Sequence, residues 1–303
     1  MDKYPLLEKM IEEAKSDLPL GVVYPLSAPA LETVFDLIKR QLCTPILIGP
    51  KDLILELVAT EELSLDGIEI IDTPKDPILA TKKAVEMVKQ RKLAVLMKGS
   101  LHTEDLMGPI VHRDGLRTDK RISHLFLFEL ARYHKLLGVT DAVVNIAPDA
   151  KLKREILANS LSALKKLGIS NTKVAIIAAT EVINLAMQST VDAKEIVDEH
   201  IADPIFPDTI IEGPFGFDNA ISAQSAKIKG IYSKVAGDPD LLLMPDLQVG
   251  NILYKSFVYM AGAECAGTIL GAQVPITLTS RSDSVFSRVA STAMAILLAK
   301  SPQ

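Results

Sequence analysis

Tryptophan is absent and aromatic residues make up only 5 % of the 303 positions, while the apolar share reaches 48 %. The core must therefore be mainly aliphatic, which suits helices packed against a sheet. Two cysteines, Cys43 and Cys265, both lie in apolar surroundings. They are too few for a disulfide framework, so the expectation is buried thiols in a reducing compartment. The net charge is −5 with no basic block, which argues against nucleic acid as the main partner. No apolar run approaches the length of a membrane span, and Met1-Asp2-Lys3-Tyr4-Pro5 has no apolar signal core. A cytoplasmic location without membrane contact is expected. There is no internal repeat, no Gly-x-Gly-x-x-Gly after a strand, no phosphate-loop glycine pattern and no Gly-x-Ser-x-Gly elbow. Dinucleotide, ATP and serine-hydrolase fingerprints are thus missing. No His, Cys or carboxylate set has metal-ligand spacing, so no metal is expected.

What is present is alternation. After a first helix at residues 5–15, apolar strands at 21–26, 45–48, 68–71 and 93–97 alternate with helical patterns at 28–41, 51–59 and 77–90. Strands with nearly continuous apolar character, separated by helices, indicate a mainly parallel sheet covered on both faces. Ligands of such sheets collect at the C-terminal strand ends. Two apolar runs at 122–130 and 135–139, separated by Ala131-Arg132-Tyr133-His134, indicate an antiparallel hairpin. The basic stretch from Arg113 to Arg121 is the expected crossing between two domains. Further strands are expected at 173–179, 209–211, 241–244, 268–270 and 274–278, with helices at 150–167, 193–200 and 252–261. Asp218 is the expected cap of the helix after Gly213-Pro214, and Pro245 to Asn251 a loop. A weakly acidic chain that takes an anionic substrate must do so with individual basic residues.

One such place is the C-terminal stretch Pro275-Ile276-Thr277-Leu278-Thr279-Ser280-Arg281-Ser282-Asp283-Ser284. A buried strand there hands over to a helix that begins near Val285. Ser280, Ser282 or Asp283 can each cap it. Hydroxyls, a guanidinium and exposed helix N–H groups meet at one point, which suits an anion such as phosphate. A second is the loop Lys98-Gly99-Ser100-Leu101-His102-Thr103, where Lys98 ends a strand and Ser100 or Thr103 can cap the next helix.

Five motifs in order resemble the phosphate acetyltransferase/phosphate butyryltransferase family. They are Met97 to Thr103; Asp141 to Asp149; Gly213-Pro214 with Asp218 to Ser222; Pro245-Asp246 with Gly250-Asn251 and Lys255; and Leu278 to Ser284. The butyryltransferase-like branch is the closest, together with the transferase part of bifunctional enoyl-CoA hydratase/phosphate acetyltransferase proteins. The resemblance implies a two-domain α/β fold, mainly parallel with some antiparallel strands and related to isocitrate and isopropylmalate dehydrogenases, with the active site in the interdomain cleft. The expected domains are 1–120 with 271–303, and 121–270. The implied activity is reversible transfer of a short acyl group (acetyl, butyryl or branched) between coenzyme A and inorganic phosphate, with acyl-CoA and phosphate as substrates, no bound cofactor, and a homodimer. The implied catalytic residues are Ser280, Arg281 and Asp283. The implied phosphate and coenzyme A contacts are Lys98, Ser100, Thr103, Asn145, Asn251, Lys255, Ser284 and Arg288.

Two positions depart from the acetyltransferase branch. Ser287 stands where that branch has an aspartate seven positions after the motif serine, and Gly108 where the family often has an arginine. These departures make a different role conceivable, a non-catalytic domain that senses acyl-CoA.

Overall fold

In a computed structural model, all residues are described except 1–2, 62–63, 66, 205–206, 281–282 and 301–303. The chain divides into two compact units, residues 1–122 with 265–303, and 123–264. Both are mixed α/β, mostly parallel with some antiparallel strands.

The chain begins with α1 (Pro5–Glu13), β1 (Pro19–Val23), α2 (Ala28–Lys39), β2 (Thr44–Gly49), α3 (Lys51–Thr60), β3 (Glu69–Asp72), α4 (Pro77–Lys89), β4 (Val95–Lys98) and α5 (Thr103–Val111). Prolines in the first turns of α1, α2 and α4 occupy positions where the missing N–H costs nothing. The second unit follows with β5 (Ser123–Glu129), β6 (Leu137–Thr140), α6 (Ala150–Lys166), β7 (Lys173–Ile177), α7 (Gln188–Ala202), β8 (Ile210–Phe215), α8 (Phe217–Ile221), α9 (Ala223–Ile228), β9 (Leu241–Leu243) and α10 (Leu247–Tyr259). The chain closes with β10 (Glu264–Leu270), β11 (Ile276–Thr277) and α11 (Val285–Lys300).

In the first unit β3, β2, β1, β4 and β11 lie side by side and run parallel, and β10 pairs antiparallel with β11. The C-terminal ends of β1, β4 and β11 therefore open on one edge. Val23 is in register with Lys98, and Met97 with Thr277. In the second unit the β5–β6 hairpin pairs Phe126 with Val139, and β6, β9, β7 and β8 continue in parallel.

The aliphatic core expected from composition is present. Leu20, Val22, Leu47, Ile48, Leu96 and Met97 are fully buried on the central strands of the first unit. Helix α11 is buried from Ser287 to Ile296 and packs on α1, α2, β4 and β11. Its hydroxyls serve the adjacent strand. Ser287 Oγ accepts from the Cys265 amide at 3.0 Å, and Ser291 Oγ accepts from the Gly267 amide at 2.9 Å. Unpaired buried N–H groups would otherwise cost about 1–3 kcal/mol each. In the second unit a buried pair, Lys153 Nζ to Asp192 Oδ2 at 2.5 Å, ties α6 to α7.

Several local expectations change. β11 holds only Ile276 and Thr277 rather than 274–278, because Pro275 has no ladder N–H and Gln273 donates instead to Leu116 O. Strand β8 extends beyond the expected 209–211, through Gly213-Pro214 to Phe215. Asp218 is no cap. Gly216 holds that position, and the Asp218 carboxylate accepts from Ser225 Oγ at 2.8 Å and pairs with Lys229 at 3.3 Å. Residues 247–251 are the first turns of α10 rather than a loop, since Asp246 caps at Val249 N.

Gly99 crosses the backbone of β1 so closely that a Cβ there would stand 2.4 Å from Val23 O and 2.5 Å from Tyr24 O. Gly99→Ala should lose about 1–3 kcal/mol, the range of an overpacked site. Urea unfolding checks this, and an unchanged midpoint would contradict the close crossing. His124 on β5 is fully buried against Phe126, with ring centroids 4.2 Å apart and both ring nitrogens unpartnered. Burial pushes its pKa from 6.5 down to about 3. Above 6.5 neither state holds a proton and the stability is complete. Between 6.5 and about 3 only the unfolded chain binds one, so stability falls with pH by about 1.4 kcal/mol per unit. On going from pH 8 to pH 5, the protein should lose about 2 kcal/mol more than its His124→Phe variant. Equal losses in denaturant titrations at the two pH values would rule the effect out.

Candidate active site

The first unit brings the candidate residues Lys98, Ser100 and Ser280 to where β1, β4 and β11 end. Lys98 is buried as the last residue of β4. Beyond it Gly99 N donates to Val23 O at 2.9 Å and Ser100 N to Tyr24 O at 2.9 Å, so the loop is fastened to the end of β1. Ser100 does not cap α5. Its hydroxyl donates to Ser27 Oγ at 2.8 Å, which joins this loop to the start of α2. Thr103 is an exposed first helical residue, and the cap position belongs to His102, whose side chain makes no cap bond.

Three positions after β11, the exposed Ser280 is held by both its backbone groups. Its N–H donates to Asp283 Oδ2 at 2.6 Å, and its carbonyl accepts from Asp283 N at 3.2 Å and from Arg288 Nη2 at 3.1 Å. The cap of α11 is Ser284, whose Oγ accepts from Ser287 N at 2.9 Å, rather than Ser280 or Asp283. Asp283 instead braces Ser280. Arg281 and Ser282, the centre of the sequence motif, lie outside the described residues. Arg288 is buried, and loss of hydration lowers its pKa from the usual guanidinium value, against the raising charges of Asp283 and Glu32. Among the described residues, a Cβ at Gly108 would meet no atom within 4 Å beyond its chain neighbours and its own helix backbone.

The second unit gathers its groups where β6, β9, β7 and β8 end. Asp141, directly after β6, is buried and takes four hydrogen bonds. Val143 N donates at 2.9 Å, Val144 N at 3.0 Å, Asn145 N at 3.3 Å and Asn145 Nδ2 at 2.6 Å. Burial raises its pKa and these donors oppose the rise. Asn145 therefore reads from the structure as the partner of Asp141. Helix α10 comes in against this turn. A Cβ on Gly250 would stand 2.7 Å from Asp141 O, and Asn251 Nδ2 donates to Ala142 O at 3.3 Å. A glycine inside a helix costs about 1 kcal/mol relative to alanine, and only this approach explains it. Lys255 is exposed one turn beyond Asn251. At the ends of β7 and β8, Asn219 is fully buried and donates to Glu181 Oε2 at 3.0 Å, and Lys229 pairs with Glu181 at 3.6 Å.

Three features escaped the sequence reading. The brace from Asp283 to Ser280, the tie from Arg288 to Ser280, and the buried Asp141 all depend on contacts between residues whose types alone suggest caps or surface charge. An aspartate within the apolar run 141–147 was the one available signal. Among the described residues no group of three or more His, Cys, Asp or Glu could hold a metal ion.

Residues 78–296 match the family described as "Phosphate acetyl/butaryl transferase". A phosphate acetyltransferase of Rhizobium meliloti is 38 % identical over 295 residues, covering 96 % of this chain and 93 % of the relative. A phosphate butyryltransferase of Clostridium beijerinckii is 36 % identical over 272 residues, covering 89 % of each. Among solved structures, a branched-chain phosphotransacylase from Enterococcus faecalis V583 superposes with a TM-score of 0.82 at 28 % identity, over 94 % of this chain and 100 % of that one. The match runs through both strand-end clusters, and the chain belongs to the phosphate acetyltransferase/phosphate butyryltransferase family.

Proposed function

We propose that this acyltransferase moves a short acyl group, acetyl, butyryl or branched, between coenzyme A and inorganic phosphate, with the chemistry at Ser280 and Arg281. The observation that carries the reading is Ser280 itself, an exposed residue whose backbone N–H and carbonyl are both held just beyond a buried strand. In the reaction a phosphate oxygen attacks the thioester carbonyl carbon. The C–O bond forms, an oxyanion develops, and the C–S bond breaks to release the coenzyme A thiolate, which then takes up a proton. A thiol of pKa about 8.5 leaves readily, so neither a covalent enzyme intermediate nor a cofactor is required. Arg281 holds phosphate and offsets the developing charge, and Ser280 donates to the carbonyl oxygen. Lys98, at the same strand edge, adds positive charge. Ser100, Thr103, Asn145, Asn251, Lys255 and Ser284 stay in this reading as the coenzyme A and phosphate surroundings, and the interdomain cleft of the dehydrogenase-related fold belongs to it as an expectation from the resemblance. Ser287 takes no part as a base, because its hydroxyl serves the Cys265 amide.

A cytoplasmic homodimer is part of the same proposal. Val249, Ile252 and Tyr259 recur at helical spacing on α10 and are exposed, with the exposed Met260 at its C-terminal end and Ile146 beside its start. Such a stripe supports self-association.

Arg281→Ala and Ser280→Ala should each lower phosphate-dependent thiol release from acetyl-, butyryl- or isobutyryl-CoA by about 10²–10³-fold. The assay is a thiol-reactive dye with a C2–C5 substrate panel. Near-normal turnover in either variant removes the role assigned here, and acyl-CoA binding without any phosphate-dependent release would favour the sensing alternative. Ile252→Asp should convert a dimer to a monomer in light scattering. A native protein already monomeric at micromolar concentration would end the dimer proposal.

A further inference from the structure

Arg288 occupies a place that two physical rules disfavour. It sits in the first turn of α11, where the helix dipole is positive and a cation is unfavourable. It is also buried, 4 % exposed, so its guanidinium has lost most of its hydration. Residues that break local rules in this way are characteristic of functional sites. The hydrogen bonds say what the side chain does there. Nη2 donates to Ser280 O at 3.1 Å and Nε donates to Asp283 O at 3.3 Å. These two carbonyls stand on either side, in sequence, of residues 281 and 282. Asp283 completes the clamp from the other direction, taking the Ser280 N–H on its carboxylate at 2.6 Å and giving its own N–H to Ser280 O at 3.2 Å.

We propose that Arg288 is a positioning residue for the acyl transfer: it fixes the carbonyls of Ser280 and Asp283 and so sets the Ser280 hydroxyl toward the substrates. The inference rests on the reading that Ser280 and Arg281 carry the chemistry. It replaces the direct phosphate contact expected for Arg288 from the sequence. A phosphate ligand needs an open guanidinium fork, whereas this one is buried with donors on two backbone oxygens. Asp283 takes the matching role. Its carboxylate is engaged with the Ser280 amide, so it acts on Ser280 through the backbone rather than on the leaving thiol.

The experiment is a double-mutant cycle with Arg288→Met and Asp283→Ala, read as kcat and phosphate KM in the thiol-release assay, with circular dichroism and melting curves on each protein. Misplacing a catalytic group by about 1 Å can cost about 10²-fold in rate. Arg288→Met should therefore lower kcat by about 10–100-fold and leave the phosphate KM within about 3-fold. The double variant should be little worse than the poorer single variant, because both residues hold one turn. A phosphate KM raised 10-fold or more at unchanged kcat would make Arg288 a ligand and overturn the proposal. So would losses that multiply in the double variant, or a variant with normal kcat and KM. If Arg288→Met does not fold, Arg288→Lys decides. Its single ammonium can serve one carbonyl well but not both, so kcat should fall between the native and inactive levels, and native kcat would overturn the clamp. A native protein that releases no thiol with phosphate would sink the functional reading itself, whereas active native protein with an indifferent Arg288 sinks only this inference.

Discussion

The candidate site of the first unit depends on a very short strand. Strand β11 contributes two residues, yet its parallel pairing with β4 (Ile276 with Leu96, Thr277 with Met97) determines where everything after it emerges. Because β4 also pairs parallel with β1, three strand ends open at one edge, and Lys98, Ser100 and Ser280 leave the sheet there. An antiparallel β11 would have delivered Ser280 to the opposite edge. So short a strand cannot hold this position alone. Helix α11, buried along most of its length, anchors it from the C-terminal side, and its serines satisfy amides of β10.

This anchoring fits the serine at position 287, where the resemblance to the acetyltransferase branch implied an aspartate. A serine there is small, buried and already accepting from Cys265 N. A carboxylate in the same place would need compensation for its lost hydration, as Asp141 receives from three amides and the Asn145 side chain. Asp141 and Asp283 each stand where backbone donors meet their carboxylates.

Close backbone approach is the second recurring device. Gly99 against β1 and Gly250 against the Asp141 turn each allow a contact that a Cβ would forbid. In each case the neighbouring residue is a candidate for substrate contact, Ser100 in the first unit and Asn251 in the second. The glycines fix how far those polar groups project.

The sequence made the α/β rhythm legible because buried parallel strands are nearly pure aliphatic runs, and helices announce themselves by spacing and by proline or aspartate at their starts. Asp149 caps α6, its carboxylate accepting from Leu152 N at 2.8 Å. The five motifs also located the residues at the strand ends. What the sequence could not decide was local geometry at the junctions: that Pro275 cuts β11 short, that Ser284 and not Asp283 caps α11, that Ser100 turns to Ser27, and that α10 begins at Leu247. Each is a choice among polar groups of equal local propensity, settled by which backbone donor or acceptor tertiary packing leaves beside them. By itself the sequence determined the family, the alternation and the chemistry-bearing residue types. Only the tertiary structure decided that Arg288 and Asp283 grip Ser280, because hydrogen bonds between residues eight and three positions apart depend on how strand and helix are set against each other.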